Sequence, residues 1–365
     1  MGNGRVAKSK KRGDMDLFDT MKSTSCKEVL FFNEPSVGLK AIIAINNTTL
    51  GPAICSCKIY DYKDFGTAIL DALDLAYQNT LSAALTRRVV GGGSIVLIGD
   101  PLSIKSEMYF RALGAFIDRQ KGKVYVTPES GTSSIDMLDI KRETDYVLAL
   151  PEVYGGSGEA SESIALGIIQ GIKASMKFLY QETNLSGVQI AIQGLGNVGR
   201  ALTHSLLKEG ADLVITDIEY DKIKETKDMY SNVRIVKPNE IFNEACEVFC
   251  PCAFGHSINE ENAKLLSCKI VAGAAHYSPD IHKIFADKSI MAVPSFLLNA
   301  GEIIQVSNEF KNYKRNKTTE ELKDIFQITL NILERARDEK LSINDIACSM
   351  AMNYIKNISI IKALK

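Results

Sequence analysis

What this chain of 365 residues has little of sets the first limits. Net charge is nearly absent: 43 lysines and arginines stand against 44 aspartates and glutamates, a formal balance of −1. So even a balance leaves no electrostatic footprint for nucleic acid or an anionic membrane surface, and neither is expected as a partner. No run approaches the roughly 20 apolar residues needed to span a bilayer. The N-terminus lacks the apolar core of a signal peptide, so the expected location is cytoplasmic. Eight cysteines are too few for a disulfide scaffold in this length. Neither an H-E-x-x-H motif nor a pair of C-x₂-C motifs occurs. Cys246, Cys250 and Cys252, followed by His256, could supply four soft ligands to zinc. Their stretch, EACEVFCPCAFG, reads instead as a buried strand running into a loop, where cysteine acts as a small hydrophobe. No metal is expected.

What is present fits a globular α/β protein. Hydrophobic residues make up 45% and charged residues 24%, and the length allows two domains. Residues 1–15 carry Arg5, Lys8, Lys10, Lys11 and Arg12 among small residues and read as a disordered basic arm. KEVLFF, LKAIIAIN, GSIVLIG and KVYVTP read as strands. Between them, Ile69, Leu70, Leu73, Ala76 and Tyr77 recur at helical spacing, and SEMYFRALGAFIDRQ forms a second helix. A long helix from Ser161 to about Thr183 leads into a strand–glycine turn–helix–strand unit. Further strand candidates then follow in VRIV, VFCPC, CKIVAG and IMAVP, the rhythm of a doubly wound parallel sheet. Thr318 and Glu321 suggest a capping box, and a last helix begins near Ser342.

The strongest motif is Gly194-Leu195-Gly196-Asn197-Val198-Gly199, a G-x-G-x-x-G. It follows the strand QIAIQ and opens the helix 197–209. A second strand, LVITD, ends on Asp217. In that context Gly194 permits the tight turn, Gly196 lets backbone reach a pyrophosphate, and Gly199 brings helix and strand together. The pyrophosphate would sit on the positive end of the helix. Asp217 is placed to accept hydrogen bonds from a ribose 2′-hydroxyl and to repel a 2′-phosphate, which favours NAD(H).

From about residue 30 onward the chain resembles the leucine, phenylalanine and valine dehydrogenases, amino-acid dehydrogenases related to glutamate dehydrogenase. The resemblance rests on GPAICSCKIY (51–60), GGGSIVLIGDP (91–101), MYFRALGAFI (108–117), ETDYV (143–147), IQGLGNVG (192–199), CPCAFG (250–255) and LNAGEI (298–303). It implies an N-terminal substrate-binding and oligomerisation domain over 16–150, to which the helix 341–365 returns. It also implies a Rossmann NAD-binding domain over 151–340 and a homo-oligomer. In the family, oxidative deamination of an amino acid to a 2-oxo acid takes place in a cleft between the domains. Asn197, Val198, Cys252, Ala253 and Asn299 join the glycines and Asp217 as cofactor residues by this likeness. Ile54, Cys55, Ser56, Pro128, Leu297 and Leu298 are implied as the substrate pocket.

The charged groups of that family are missing here. Serine stands at all three positions: Ser82 for the lysine that binds the substrate carboxylate, Ser94 for the lysine delivered by the glycine run, and Ser130 for the aspartate that exchanges protons. The pocket departs elsewhere too. Cys55 and Ser56 replace paired glycines, Ile164 replaces a threonine, His276 and Tyr277 stand at the asparagine segment, and Glu302 replaces the second glycine of N-A-G-G. Losing a positioned acid or base costs roughly 10²–10⁴ in rate. The expected function is therefore an NAD(H)-dependent oxidoreductase acting on an amine, imine or ketone other than a conventional α-amino acid. His276, Tyr277, Glu129 or water would move protons, and Lys58, Arg87, Arg88 or Lys105 are candidates for a replacement cation. The alternatives are an NAD-binding non-redox or regulatory protein and, last, a conventional leucine or phenylalanine dehydrogenase.

Overall fold

The computed structural model describes residues 16–255 and 257–364; the basic arm and His256 lie outside the described residues. Strands β1 (Glu28–Glu34), β2 (Leu39–Asn47), β3 (Ala53–Tyr60), β4 (Gly91–Ile98) and β5 (Val124–Pro128) form one sheet in the order β1-β2-β4-β3-β5. β1, β2 and β4 pair antiparallel, whereas β4, β3 and β5 run parallel. Strand alternation divides the side chains between two faces. Ile43, Cys55, Cys57, Ile95 and Leu97 pack with Tyr109, Phe110 and Leu113 of the helix Glu107–Asp118. Ile42, Ala44 and Val96 pack with Ala68, Ile69, Ala72, Leu73 and Ala76 of the helix Phe65–Leu85. Asp64 caps that helix by accepting from the Thr67 amide at 2.8 Å. Leu70, expected on the buried stripe, is 46% exposed; the smaller Ala68 and Ala72 face the sheet instead.

The glycine run 91–93 belongs to this packing. It lies within β4 and forms no loop. A Cβ on Gly92 would overlap the backbone nitrogen of Thr80, so the bare backbone lets the 65–85 helix settle directly on the strand.

The second sheet is wholly parallel, with β6 (Gln189–Gln193), β7 (Asp212–Thr216), β8 (Arg234–Ile235), β9 (Val248–Pro251), β10 (Ile270–Val271) and β11 (Met291–Ala292) in the order β11-β10-β9-β6-β7-β8. The order reverses between β6 and β9, which opens a crevice at their carboxyl ends. Ile190, Ile192 and Ile215 are covered by Leu202 and Leu206 of the helix Asn197–Lys208 and by Ile168 and Ile172 of the helix Ser161–Tyr180. The chain is thus a two-domain α/β protein.

Cys250 is buried in this core, and Cys246 and Cys268 pack in the neighbouring one. Among the described residues, no group of three or more histidine, cysteine or acidic side chains could hold a metal ion. No described helix is long and apolar enough to cross a membrane.

The last helix, Ile343–Ala363, is capped by Ser342, whose Oγ accepts from the Asp345 amide at 3.0 Å. It packs Ile346, Ala347 and Ala351 on Leu81, Ala84 and Leu85 of the first domain. The capping box expected at Thr318 is not formed. The helix Arg315–Leu322 starts earlier, and tertiary contacts take both polar groups. Thr318 Oγ1 accepts from Asn308 at 2.9 Å, and Glu321 binds Asn308 and Arg88.

Gly92→Ala is expected to destabilise the protein by about 1–3 kcal/mol or more, because the new methyl meets helix backbone rather than a side chain that could swing away. The midpoint of urea unfolding measures the loss.

Candidate active site

The glycine turn has the geometry its spacing implies. Gly194 lies at φ +96°, and a Cβ there would meet the Ala253 backbone nitrogen at 2.5 Å. A Cβ on Gly199 would overlap the Gly194 carbonyl, whereas at Gly196 it would meet nothing within 4 Å. Turn and helix are therefore locked together while the space before the helix stays open. Cys252 donates its amide to Gln193 O at 2.7 Å, which sets the β9 turn beside the glycines. Val198 packs on the core and Asn197 is exposed at the helix start.

Asp217 sits at the end of β7. Its Oδ2 accepts from the Leu195 amide at 2.6 Å and its Oδ1 from the Glu219 amide at 2.8 Å, which fixes the carboxylate at the crevice. Two buried acceptors beside the crevice, Gln193 Oε1 and Asn299 Oδ1, lack any hydrogen-bond partner. The other end of the Asn299 amide is held, donating to Ala274 O at 2.9 Å. A cavity of ≈ 550 Å³ opens at the start of the 197–208 helix, lined in part by Asn197, Arg200 and Arg315. Open space, a helix N-terminus and unpaired acceptors together fit a dinucleotide.

The three serines expected at charged positions of the family all make hydrogen bonds within the chain. Ser82 Oγ donates to Phe296 O at 2.6 Å and to Gln78 O at 2.9 Å, buried between helices. Ser94 is 0% exposed. Its hydroxyl donates to Ala72 O at 2.6 Å, against the 65–85 helix. Ser130 Oγ donates to Glu129 Oε1 at 3.0 Å. Two of the three hydroxyls are thus spent on helix carbonyls, and neither offers a cation.

A carboxylate stands close by instead. Ser56 and Thr127 are register partners on β3 and β5, so their side chains leave the sheet on the same face. Glu302, on the helix Ala300–Ser307, reaches down to them. Its Oε1 accepts from Thr127 Oγ1 at 2.9 Å and from Ser56 Oγ at 3.4 Å, and Ser56 in turn accepts from Asn79 at 3.0 Å. Burial pushes the Glu302 carboxyl up to about 7; the two hydroxyls oppose the rise, and Glu129 and Glu159 add to it. Glu129 follows on the same edge. Burial raises it too, against the pull of Lys58, and its Oε2 is buried with no hydrogen-bond partner.

Three of the four candidate replacement cations are already engaged. Lys58 pairs with Asp71 at 2.6 Å and lies 4.8 Å from the ring centre of Phe254, while Tyr62 donates to the same Asp71. Arg88 pairs with Glu321 at 2.6 Å and Lys105 with Asp136 at 2.8 Å. Arg87 is exposed.

From the second domain, His276 faces this cluster. Its Nδ1 lies 2.7 Å from Ser295 Oγ. Burial lowers its basicity, with Asp74 and Asp71 pulling upward and Lys58 downward. Tyr277, the other proton-donor candidate, points the opposite way. It packs in the core with Phe285 and turns its hydroxyl toward Val293 O at 3.4 Å. Four expected pocket residues also belong to cores. Cys55 lies on the sheet face opposite Ser56, Leu297 packs under the C-terminal helices, and Leu298 fills the space above Gly171. Ile54 packs with Ile303 and Val306, and Pro128 ends β5 half-buried.

Glu302 was legible as a departure at a glycine, but its donor Thr127, and Asn79 behind Ser56, carry no sequence signal of their own.

A nucleotide crevice in a six-stranded parallel sheet, facing a second α/β domain across a cleft, defines a Rossmann-fold oxidoreductase. Within that class the chain belongs to the glutamate/leucine/phenylalanine/valine dehydrogenase family, whose description matches residues 155–360; the family's dimerisation domain matches residues 27–149. It is 36% identical over 339 residues to phenylalanine dehydrogenase of Lysinibacillus sphaericus, covering 91% of this chain and 88% of that protein. It is 34% identical over 347 residues to leucine dehydrogenase of Geobacillus stearothermophilus, covering 94% of each. Among solved structures it is similar to L-tryptophan dehydrogenase from Nostoc punctiforme, with a TM-score of 0.75, 32% identity, and coverage of 94% of this chain and 99% of that one.

The raised Glu302 carboxyl has a stability consequence. An unfolded glutamate titrates near its ordinary 4.5, whereas the folded one holds its proton up to about 7. This contribution is complete below pH 4.5 and is lost as pH rises through 7, an effect of about 3 kcal/mol. Denaturant unfolding between pH 5 and pH 8 should show the wild type losing stability relative to Glu302→Gln by roughly that amount.

Proposed function

We propose that the protein is an NAD(H)-dependent oxidoreductase acting on an amine, imine or ketone other than a conventional α-amino acid. One observation carries this reading: the nucleotide cradle is complete, whereas Ser82 and Ser94 are buried and bonded to helix carbonyls where an α-carboxylate would need cations. When bound, the dinucleotide supplies the hydride acceptor or donor. The chain's own part is to place a carbon beside it, which orientation alone favours strongly.

NAD(H) is preferred over the phosphorylated form because the Asp217 carboxylate, fixed by two amides, would repel a 2′-phosphate. His276, half-buried and held by Ser295, is the proton carrier on the nucleotide side of the cleft. Residues 16–150 serve as the substrate and oligomerisation unit and 151–340 as the nucleotide unit. The match to a dimerisation domain supports a homo-oligomer.

A non-redox, NAD-sensing role is the second reading, favoured by the way Ser82 closes its site with a bond to Phe296 O. Two measurements separate the readings. NADH fluorescence titration should show binding, and Asp217→Ala should weaken NADH about tenfold while affecting NADPH less. Nicotinamide absorbance should then fall with ketones plus ammonia or with cyclic imines, and not with branched-chain or aromatic 2-oxo acids plus ammonia. NADH binding without turnover of any compound supports the sensing role. Failure to bind NADH, or brisk oxidation of leucine, refutes the proposal.

A further inference from the structure

We propose that Glu302 and Glu129 form a subsite for an organic ammonium ion, so that the substrate is a cationic amine carrying no carboxylate of its own. This rests on the oxidoreductase reading and narrows it to one substrate class.

Three observations converge. First, Glu302 occupies the face of β3 and β5 beside Ser94, the residue matched to a family lysine; Ser56 is the register partner of both Ser94 and Thr127. A carboxyl group thus stands one strand away from a position where the resemblance places a cation and this chain has a neutral serine. Second, both donors to Glu302 fall on Oε1, which leaves Oε2 free to accept from a ligand. Third, Glu129 Oε2 is buried without a donor. An ionised oxygen in that state is costly unless something donates to it, and an ammonium N–H is the complementary group. Lys58, whose charge acts on Glu129, is already paired with Asp71.

The arrangement also provides for the proton. An ammonium nitrogen has no lone pair, so one N–H must be lost before the carbon can give up hydride. In the ionised state Glu302 takes that proton on an oxygen and becomes a carboxylic acid, and the amine is left neutral. Glu129 just after β5, Lys58 on β3, Asp71 on the 65–85 helix and Glu159 before the 161–180 helix are the charged groups that set the balance around the pair.

Calorimetric titration of the full chain with isoamylammonium chloride, with and without NAD⁺, tests the subsite; 4-methylpentanoate and magnesium serve as comparison ligands. The ammonium should bind in preference to both, with an affinity that rises from pH 6 to pH 8. Glu302→Gln, which keeps an amide oxygen for Thr127 and Ser56, should weaken it about 10- to 100-fold and flatten the pH dependence. Glu129→Gln should also weaken it, and unchanged NAD⁺ affinity in both variants shows that the fold is intact. Preferential binding of the carboxylate or of magnesium, or wild-type ammonium affinity in both variants, overturns the subsite. Loss of the dinucleotide arm alone would overturn the oxidoreductase reading and leave the cation subsite standing.

Discussion

The hydrogen bond from Thr127 to Glu302 crosses from the first sheet to the helix roofing the cleft, and the geometry of the site depends on it. The same helix and the turn after it make two further polar attachments. Gln305 donates to the carbonyls of Ser157 and Gly158 at 3.0 and 3.1 Å. Glu309 accepts from the amides of Ala149 and Ser157 at 2.9 and 3.1 Å. Residues 149–158 are the passage between the two domains, so one polar helix edge holds both the passage and the pocket floor. Buried carboxylates are stable only when donors surround them, and these donors come from segments far apart in sequence.

The two halves of the cleft differ in what they ask of side chains. The nucleotide crevice is built largely from backbone: a turn at positive φ, a helix start, and a strand-end carboxylate held by two amides. Substitution around it is limited by steric overlap, as at Gly199. The substrate half is read by side-chain charge on strand and helix positions. There, the side chain can change while the strand or helix that carries it keeps its backbone bonds. The serine hydroxyls at Ser82 and Ser94 bond to helix carbonyls and so join the packing. The fold therefore constrains the nucleotide crevice more tightly than the charge of the pocket.

Much of this was readable in advance, because it depends on local pattern. The G-x-G-x-x-G turn, its flanking strands, the Ser342 cap and the helix 65–85 follow from short-range spacing and propensity. The failures share one cause. Thr318 looks like a helix cap but is claimed by Asn308 ten residues away. The use of the glycine run 91–93, a contact between strand and helix, shows only once Thr80 is placed over Gly92. His276 and Tyr277 are neighbours with equal claims until the chain direction sends one into the cleft and the other into the core.

The amino-acid sequence by itself determined the two-domain α/β plan and the nucleotide fingerprint, since each is a matter of residue type at a fixed interval. Only the tertiary structure decided which polar groups meet in the pocket. Glu302 meets Thr127 and Ser56 because sheet register and helix placement bring together residues separated by 175 and 246 positions. Whether a hydroxyl is spent on a carbonyl or left for a ligand depends on such long-range neighbours, and no local spacing encodes them.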